Sequence, residues 1–200
     1  MSNTLTRFAG RIAVLCAIGF GLAGCGINTV PTQDEQVKAA WSQVQNEYQR
    51  RADLVPNLVA TVKGYATHEE NTLKEVTEAR AKATQMVLPA DILSNPQAFH
   101  QFEQNQAQLS GALGRLLAVS ESYPQLKADQ NFLVLQSQLE GTENRIAVAR
   151  KDYIDAVQAY NTTLRTIPSR WIAAIFYPEA KPRQTFTTSD DAQHAPKVTF

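Results

Sequence analysis

The sequence predicts an all-α protein, organised as an antiparallel four-helix up-and-down bundle with a long C-terminal helix. Apolar residues recur at steps of three and four through four long segments, which is the spacing of one helix face. Proline, glycine and asparagine punctuate the stretches between these segments. Cleavage of a signal peptide at residues 1–24 would leave 176 residues, which suffice for one domain with a hydrophobic core.

The first 24 residues follow the order of a secretory signal. Arg7 and Arg11 precede an apolar run from Ile12 to Leu22, and no acidic residue interrupts them. A membrane-spanning helix needs roughly 20 apolar residues, whereas this run ends after about 11. The pattern therefore favours a cleaved signal over a membrane span.

The run ends in Leu22-Ala23-Gly24-Cys25, which resembles the lipobox of bacterial lipoproteins. An ordinary signal with an Ala-x-Ala site is the alternative. We predict cleavage between Gly24 and Cys25 and lipid on Cys25, whose two or three acyl chains would anchor the chain durably facing the periplasm. Gly26 occupies the position where an aspartate tends to retain lipoproteins at the inner membrane, which favours the outer membrane.

Cysteine usage and charge exclude several functions. Cys16 lies in the signal, so a mature chain has no thiol besides Cys25 and can form neither a disulfide nor a cysteine-based zinc site. The signal removes two of the 19 basic residues and none of the 19 acidic ones, leaving 17 against 19. This balance argues against nucleic acid as a partner.

The first helix should follow a tether at residues 25–33 and begin at Asp34-Glu35, where negative charge favours a helix start. Pro56 should kink this helix, or restart it with Asp53 as the cap. The helix should end between Gly64 and Glu69. Its inward positions are Val37, Trp41, Val44, Tyr48, Val55, Leu58, Val62 and Tyr65.

Three more helices follow in order. The second has Leu73, Val76, Ala79, Ala83 and Val87 inward, and the third has Phe99, Phe102, Leu109, Leu113, Leu116 and Leu117. Tyr123-Pro124 should end the third helix. The fourth should run from about Lys127 to Thr166 without an internal proline, which makes it the longest at about 60 Å. Its inward residues are Phe132, Leu135, Leu139, Ile146, Ala149, Tyr153, Val157, Tyr160 and Leu164.

The apolar segment from Trp171 to Tyr177 is predicted to fold onto the end of the bundle, and an exposed partner or membrane contact is the alternative. Residues 178–200 mix polar residues without periodicity and are predicted to be disordered. The bundle domain therefore spans residues 34–177.

Several motifs together resemble the LemA family of bacterial membrane-associated proteins. They cover roughly Gln36 to Phe176 and comprise Arg50–Val59, Val62–Glu69, Ala79-Arg80, Glu121–Ala128, and Leu139–Ile146 followed by Ala149-Arg150. The resemblance implies an antiparallel four-helix bundle held at a membrane, and no settled activity. Two features depart from the family. Of its repeated Tyr-Asn pairs only Tyr160-Asn161 is present, and a lipobox replaces the uncleaved amino-terminal helix of many relatives.

Polar residues on or beside the helix seams are the candidate site. Burying them costs several kcal/mol each unless they are paired, so we predict an ion-pair network that fixes helix register. The set is Arg51, Asp53, His68, Glu69, Glu140, Glu143, Asn144, Arg145 and Arg150. The alternative is a ligand or metal site built from His68, Glu69, Glu140 and Glu143. No metal is predicted, because the chain lacks paired Glu-x-x-His motifs and a second zinc-protease histidine.

Enzymatic activity is not predicted. The chain has no Gly-x-Ser-x-Gly motif, no glycine-rich phosphate loop and only three histidines, so neither a nucleophilic triad nor a cofactor site is indicated. The leading hypothesis is a non-enzymatic, envelope-facing scaffold with protein partners in the envelope. Binding of cell-wall polymer or lipid is a third hypothesis, suggested by Trp171, Phe176 and Tyr177.

Overall fold

A computed structural model describes residues 26–187. The predicted signal peptide, the cleavage site at Gly24 and Cys25, and the last part of the predicted tail lie outside the described residues. Within 26–187 the chain is all-helical and no strand is present, so the predicted all-α class is confirmed there.

Six α-helices and one 3₁₀ turn make up the described chain. We number the helices α1 (Thr29–Tyr65), α2 (Glu70–Gln85), α3 (Pro96–Ser120), α4 (Pro124–Lys127), α5 (Gln130–Arg165) and α6 (Ser169–Phe176), with the 3₁₀ turn at Ile92–Ser94. The four long helices correspond to the four predicted ones, and the break after Tyr65 lies where it was predicted. The fourth predicted helix corresponds to α5. It is not the longest helix as predicted, since α1 has 37 residues and α5 has 36.

Helix α1 begins earlier than predicted, so the predicted tether at residues 25–33 is wrong for residues 29–33. Val30 is only 3% exposed, and its burial gives this first turn an apolar anchor. Pro31 is tolerated because the first helical N–H groups have no carbonyl partner in any helix. Val87 was also placed wrongly: it follows the end of α2 and is 90% exposed.

Helix α1 continues through Pro56 without a restart. A proline at this position cannot donate to the carbonyl of Ala52, four residues earlier. The Nε of Arg80, on α2, donates to the Ala52 oxygen at 2.8 Å instead. A side chain from the next helix therefore satisfies the backbone group that the proline leaves without its helical partner.

Two side chains define helix starts after α2. Asn95 accepts a hydrogen bond from Ala98 N at 3.2 Å and precedes Pro96 at the first position of α3. Asp129 accepts from Phe132 N at 2.9 Å, which explains why α5 begins at Gln130 rather than Lys127. The same carboxylate accepts from the Tyr65 hydroxyl at 2.8 Å, and the Tyr65 side chain lies partly in solvent.

The described residues form two compact units. The small unit comprises residues 26–39 and 156–183, and the large unit comprises residues 40–155 and 184–187. In the large unit, side chains from five helices share one core, which includes Val62 of α1, Val76 of α2, Leu109 of α3, Leu126 of α4 and Phe132 of α5. The helices of the large unit are therefore held together by a continuous apolar interior.

An aromatic cluster fills another part of the large unit and includes a residue of the predicted disordered tail. Phe186 is 8% exposed, and its ring centroid lies 5.1 Å from that of Phe99 and 5.5 Å from that of Tyr153. Gln184 N donates to the Leu93 carbonyl at 2.7 Å, and the Tyr153 hydroxyl donates to Gln184 O. The prediction of disorder is therefore wrong for residues 184–187, because one aromatic residue supplies the anchor.

In the small unit, helix α6 does not pack as the predicted closing segment. Ala173 is its only buried residue, whereas Trp171 is 62%, Ile175 72% and Phe176 56% exposed. The prediction that this segment folds onto the bundle end is wrong for these three side chains. No helix among residues 26–187 combines the length and the apolar character that crossing a membrane requires.

Candidate functional site

Arg51 is the most deeply buried charged side chain described in the structure. It interrupts the apolar stripe of α1 and is 1% exposed. Its Nη1 donates to Ser110 Oγ at 2.5 Å and to Glu143 Oε1 at 3.2 Å. Its Nη2 donates to Gln106 Oε1 at 2.7 Å and to the Gln106 carbonyl at 3.1 Å. Helices α1, α3 and α5 are thereby tied to one guanidinium.

The two partners of this ion pair experience different environments. The Arg51 side chain is 2% exposed, whereas that of Glu143 is 44% exposed. Solvent screens the carboxylate, so the neutral acceptors on α3 contribute a large part of the compensation for burying the guanidinium. The Arg51 Nε is buried and has no hydrogen-bond partner within residues 26–187.

A surface cavity of about 540 Å³ lies beside Arg51, within the large unit. Glu143, Glu103, His100 and Arg150 also line it. The Arg150 guanidinium lies over the Phe186 ring, 4.3 Å from its centroid, in a cation–π contact. The cavity wall therefore offers cationic, anionic and apolar groups side by side.

Tyr48 and Glu103 are two of the polar residues that line this cavity. Burial raises the pKa of the Tyr48 hydroxyl, so that group stays protonated at neutral pH. Glu103 accepts a hydrogen bond from Thr187 N at 3.2 Å.

The predicted polar set does not form one network. Arg51, Glu143 and Arg150 meet at the cavity, and Arg145 instead pairs with Glu47 at 3.0 Å. Three of the remaining carboxylates accept hydrogen bonds from other side chains: Asp53 from Gln49, Glu69 from the Tyr123 hydroxyl, and Glu140 from Gln136. The His68 and Asn144 side chains are exposed. Asp53, His68, Glu140 and Asn144 are exposed and do not contact Arg51, so the predicted ion-pair network does not include these four residues.

The alternative site of His68, Glu69, Glu140 and Glu143 does not assemble either. Within residues 26–187 no group of three or more histidine, aspartate or glutamate side chains is arranged to hold a metal ion. Of the four side chains, only Glu143 lines the cavity.

The sequence analysis missed a polar cluster in the small unit. Arg183 Nε donates to Asp34 Oδ1 at 3.0 Å, and the Asn161 amide exchanges hydrogen bonds with the Arg183 backbone at 2.8 and 2.9 Å. Burial raises the pKa of Asp34, but its hydrogen bonds and charge contacts with Arg183 and Lys38 outweigh this and hold the pKa below its ordinary value. The Tyr160-Asn161 pair was the only sequence feature that pointed to this cluster. It did not indicate that Asn161 bonds to Arg183.

Comparison with known proteins identifies relatives of most of the chain. The model of the family described as "LemA family" matches residues 40–200. The chain is 26% identical over 167 residues to "Magnetosome protein MamQ 2" of Paramagnetospirillum magneticum, which covers 74% of this chain and 60% of that protein. It is 22% identical over 146 residues to "Protein LemA" of Metamycoplasma hominis, covering 73% and 63%. The chain spans about three-fifths of the length of these relatives.

Proposed function

The chain belongs to the LemA family, and from that premise we propose that it is a lipid-anchored, non-enzymatic scaffold of the bacterial envelope. The observation that carries the proposal is the set of hydrogen bonds from Arg51 to Gln106, Ser110 and Glu143. The deepest cation binds acceptors on two other helices, which is a structural use. A body cross-linked in this way suits the rigid presentation of surfaces to protein partners.

The proposed architecture is an antiparallel four-helix up-and-down bundle. Three pairs in the large unit support opposite directions for α1 and α5. Glu47 pairs with Arg145, Arg51 with Glu143, and Tyr65 with Asp129, so residue numbers fall along α5 as they rise along α1.

The proposed anchor is lipid on Cys25, within Leu22-Ala23-Gly24-Cys25. The proposed location is the periplasmic face of the envelope, at the outer membrane, because Gly26 follows the cysteine. Its partners would be envelope proteins, and nucleic acid is not among them. The magnetosome appears in the name of the Paramagnetospirillum magneticum relative and is not proposed for this chain.

Intact mass of the protein extracted from native membranes tests the anchor. We expect a chain that begins at Cys25 and carries acyl mass. Cys25→Ala should abolish both features, and Cys16→Ala, which changes a cysteine within the signal, should preserve both. Acylation that persists in Cys25→Ala contradicts the anchor.

Affinity capture of the lipidated full chain from native membranes tests the scaffold role. We expect a reproducible set of envelope proteins that an equally expressed, unrelated lipoprotein does not retain. Recovery of no specific protein, together with a reproducible turnover activity of the purified chain, contradicts the proposal.

The cavity beside Arg51 favours a second candidate function, binding of a small anionic ligand. Its volume falls within the range of about 300–1,000 Å³ typical of ligand pockets. Among residues 26–187, the Arg51 Nε has no hydrogen-bond partner, and the Arg150 guanidinium contacts the Phe186 ring without forming an ion pair. Thermal shift of the full chain with succinate or inorganic phosphate is the test. A rise in Tm that Arg150→Gln removes supports this function, and an unchanged Tm at millimolar ligand counts against it.

A further inference from the structure

Helix α6 of the small unit has an exposed apolar surface. Trp171 and Ile175 are one helical turn apart, so they share a face, and Phe176 is exposed at the helix end. Ile167, just before the helix, is 65% exposed. Four large exposed apolar side chains therefore lie within ten residues, and exposed apolar surface of this kind marks interaction sites in soluble domains.

Cationic side chains border this surface. Arg165 and Arg170 are exposed on either side of Ile167, and Lys181 is exposed beyond the helix. Glu179 is the only acidic residue between positions 165 and 181, so this stretch carries a net charge of +2. An aromatic and aliphatic face with a basic border is the composition of helices that lie in the interface of an anionic bilayer.

The helix has the dimensions of an interfacial element. Its eight residues extend about 12 Å, which is far less than the thickness of a bilayer core. It can therefore lie in the headgroup region without crossing it.

The small unit also contains the start of the described chain. Asp34 and Asn161 both bond to Arg183, which brings α1 and α5 together at that point. Thr29 begins α1 about 8 Å before Asp34, and Arg165 ends α5 about 6 Å after Asn161. The start of α1 and the end of α5, from which α6 follows, both lie within about two helical turns of Arg183.

We propose that α6 inserts Trp171, Ile175 and Phe176 into the headgroup region of an anionic bilayer, as a second membrane contact beside the lipid on Cys25. This inference rests on the proposed anchor, because Cys25 directly precedes the small unit and would hold it at the bilayer surface. Two contacts would fix the orientation of the small unit on the membrane, whereas one lipid group would leave this unit free to rotate.

The fluorescence of Trp171 can report contact with lipid. The other tryptophan, Trp41, is 6% exposed and belongs to the large unit. The lipidated protein extracted from native membranes is reconstituted into vesicles of about three parts phosphatidylcholine to one part phosphatidylglycerol, with or without bromine on the acyl chains. We expect brominated lipid to quench the wild-type emission. Trp171→Phe should abolish the quenching, which assigns the signal to that residue.

The double variant Ile175→Asp/Phe176→Asp should reduce the quenching about fivefold, because charge opposes insertion. Val148→Asp, an equally exposed valine on α5 of the large unit, should leave it unchanged. Unquenched wild-type Trp171 overturns the inference, and cross-linking of Trp171 to a second copy in that case identifies the copy as the occupant.

Intact mass of the same sample separates the inference from the proposed anchor. Acylated protein with unquenched Trp171 overturns the membrane contact of α6 and leaves the anchor supported. Quenched Trp171 in protein that carries no lipid supports the contact of α6 and overturns the anchor.

Discussion

The segment around Phe186 in the large unit and helix α6 in the small unit place their aromatic residues in opposite surroundings. In the large unit, Phe186 comes from a polar stretch and is buried against Phe99 and Tyr153. In the small unit, Trp171 and Phe176 come from an apolar stretch and are exposed. Local hydrophobicity therefore does not decide burial in these two segments.

The difference lies in what each segment finds to pack against. Phe186 meets ring faces and the Arg150 guanidinium, and the neighbouring Gln184 backbone is bonded to Leu93 and Tyr153. In the small unit, Ala173 is the only buried residue of α6, and Trp171, Ile175 and Phe176 are exposed. A single aromatic side chain can thus order a polar segment, whereas several apolar residues without a partner surface stay in solvent.

The largest expected effect comes from removing Arg51, the buried cation of the large unit. Arg51→Ala empties a buried volume and leaves Gln106 and Glu143 without their donor, so the free energy of unfolding should fall by about 4 kcal/mol. Arg183→Ala, which removes the cation of the small unit, should cost about 2 kcal/mol because that side chain is more exposed. Urea unfolding followed by circular dichroism measures both. Equal costs would show that burial of the cation is not what distinguishes the units.

The aromatic contrast itself is tested by truncating one ring in each segment. Phe186→Ala should lower the free energy of unfolding by about 3 kcal/mol, because a buried ring leaves a cavity among its neighbours. Phe176→Ala should cost less than about 0.5 kcal/mol, since that ring lies mostly in solvent. The fluorescence of Trp41, whose ring lies 6.3 Å from Phe186, should change only in the first variant. Similar costs for the two variants would contradict the difference in packing.

Arg80 tests whether α2 satisfies the backbone of α1 in the large unit. Arg80→Met removes the donor to the Ala52 carbonyl and should cost about 1–2 kcal/mol in free energy of unfolding. In a Pro56→Ala background the alanine N–H can serve that carbonyl, so the same change should cost less. A double-mutant cycle by urea unfolding measures the coupling. Identical costs in the two backgrounds would refute the role assigned to Arg80.

The smallest expected effect is a pH dependence from the small unit. Arg183 and Lys38 lower the pKa of Asp34 below its ordinary value, against an opposing effect of burial. A lowered folded-state pKa contributes stability above the ordinary aspartate range, and that stability is lost as the pH falls from about 4 through the folded pKa. Asp34→Asn should flatten this part of the stability curve relative to wild type. Parallel curves for the two proteins would disprove the contribution.

Much of the fold was predictable, because helices follow from local spacing. The periodicity of α1, α2, α3 and α5 identified the four long segments, and the break after Tyr65 was placed correctly. Helix ends were less predictable, since the start of α5 depends on the Asp129 cap and α1 begins early on the burial of Val30. The family was recognisable from motifs that all lie between residues 40 and 200, where the family model matches.

The candidate site was predictable only in part. Arg51 stood out because it interrupts an apolar stripe, yet its partners on α3, Gln106 and Ser110, carry no distinguishing pattern. The Asp34–Arg183 pair joins residues 149 positions apart, and neither residue interrupts a periodic face. No local spacing could have connected them.

By itself, the sequence determined the all-α class, the positions of the long helices and the family, because helix formation depends on residues three and four apart. Only the tertiary structure decided that Arg51 meets Glu143 across 92 positions, that Phe186 is buried and that Trp171 is exposed. Burial and ion pairing depend on which distant surfaces come together, and periodicity within a segment does not contain that information.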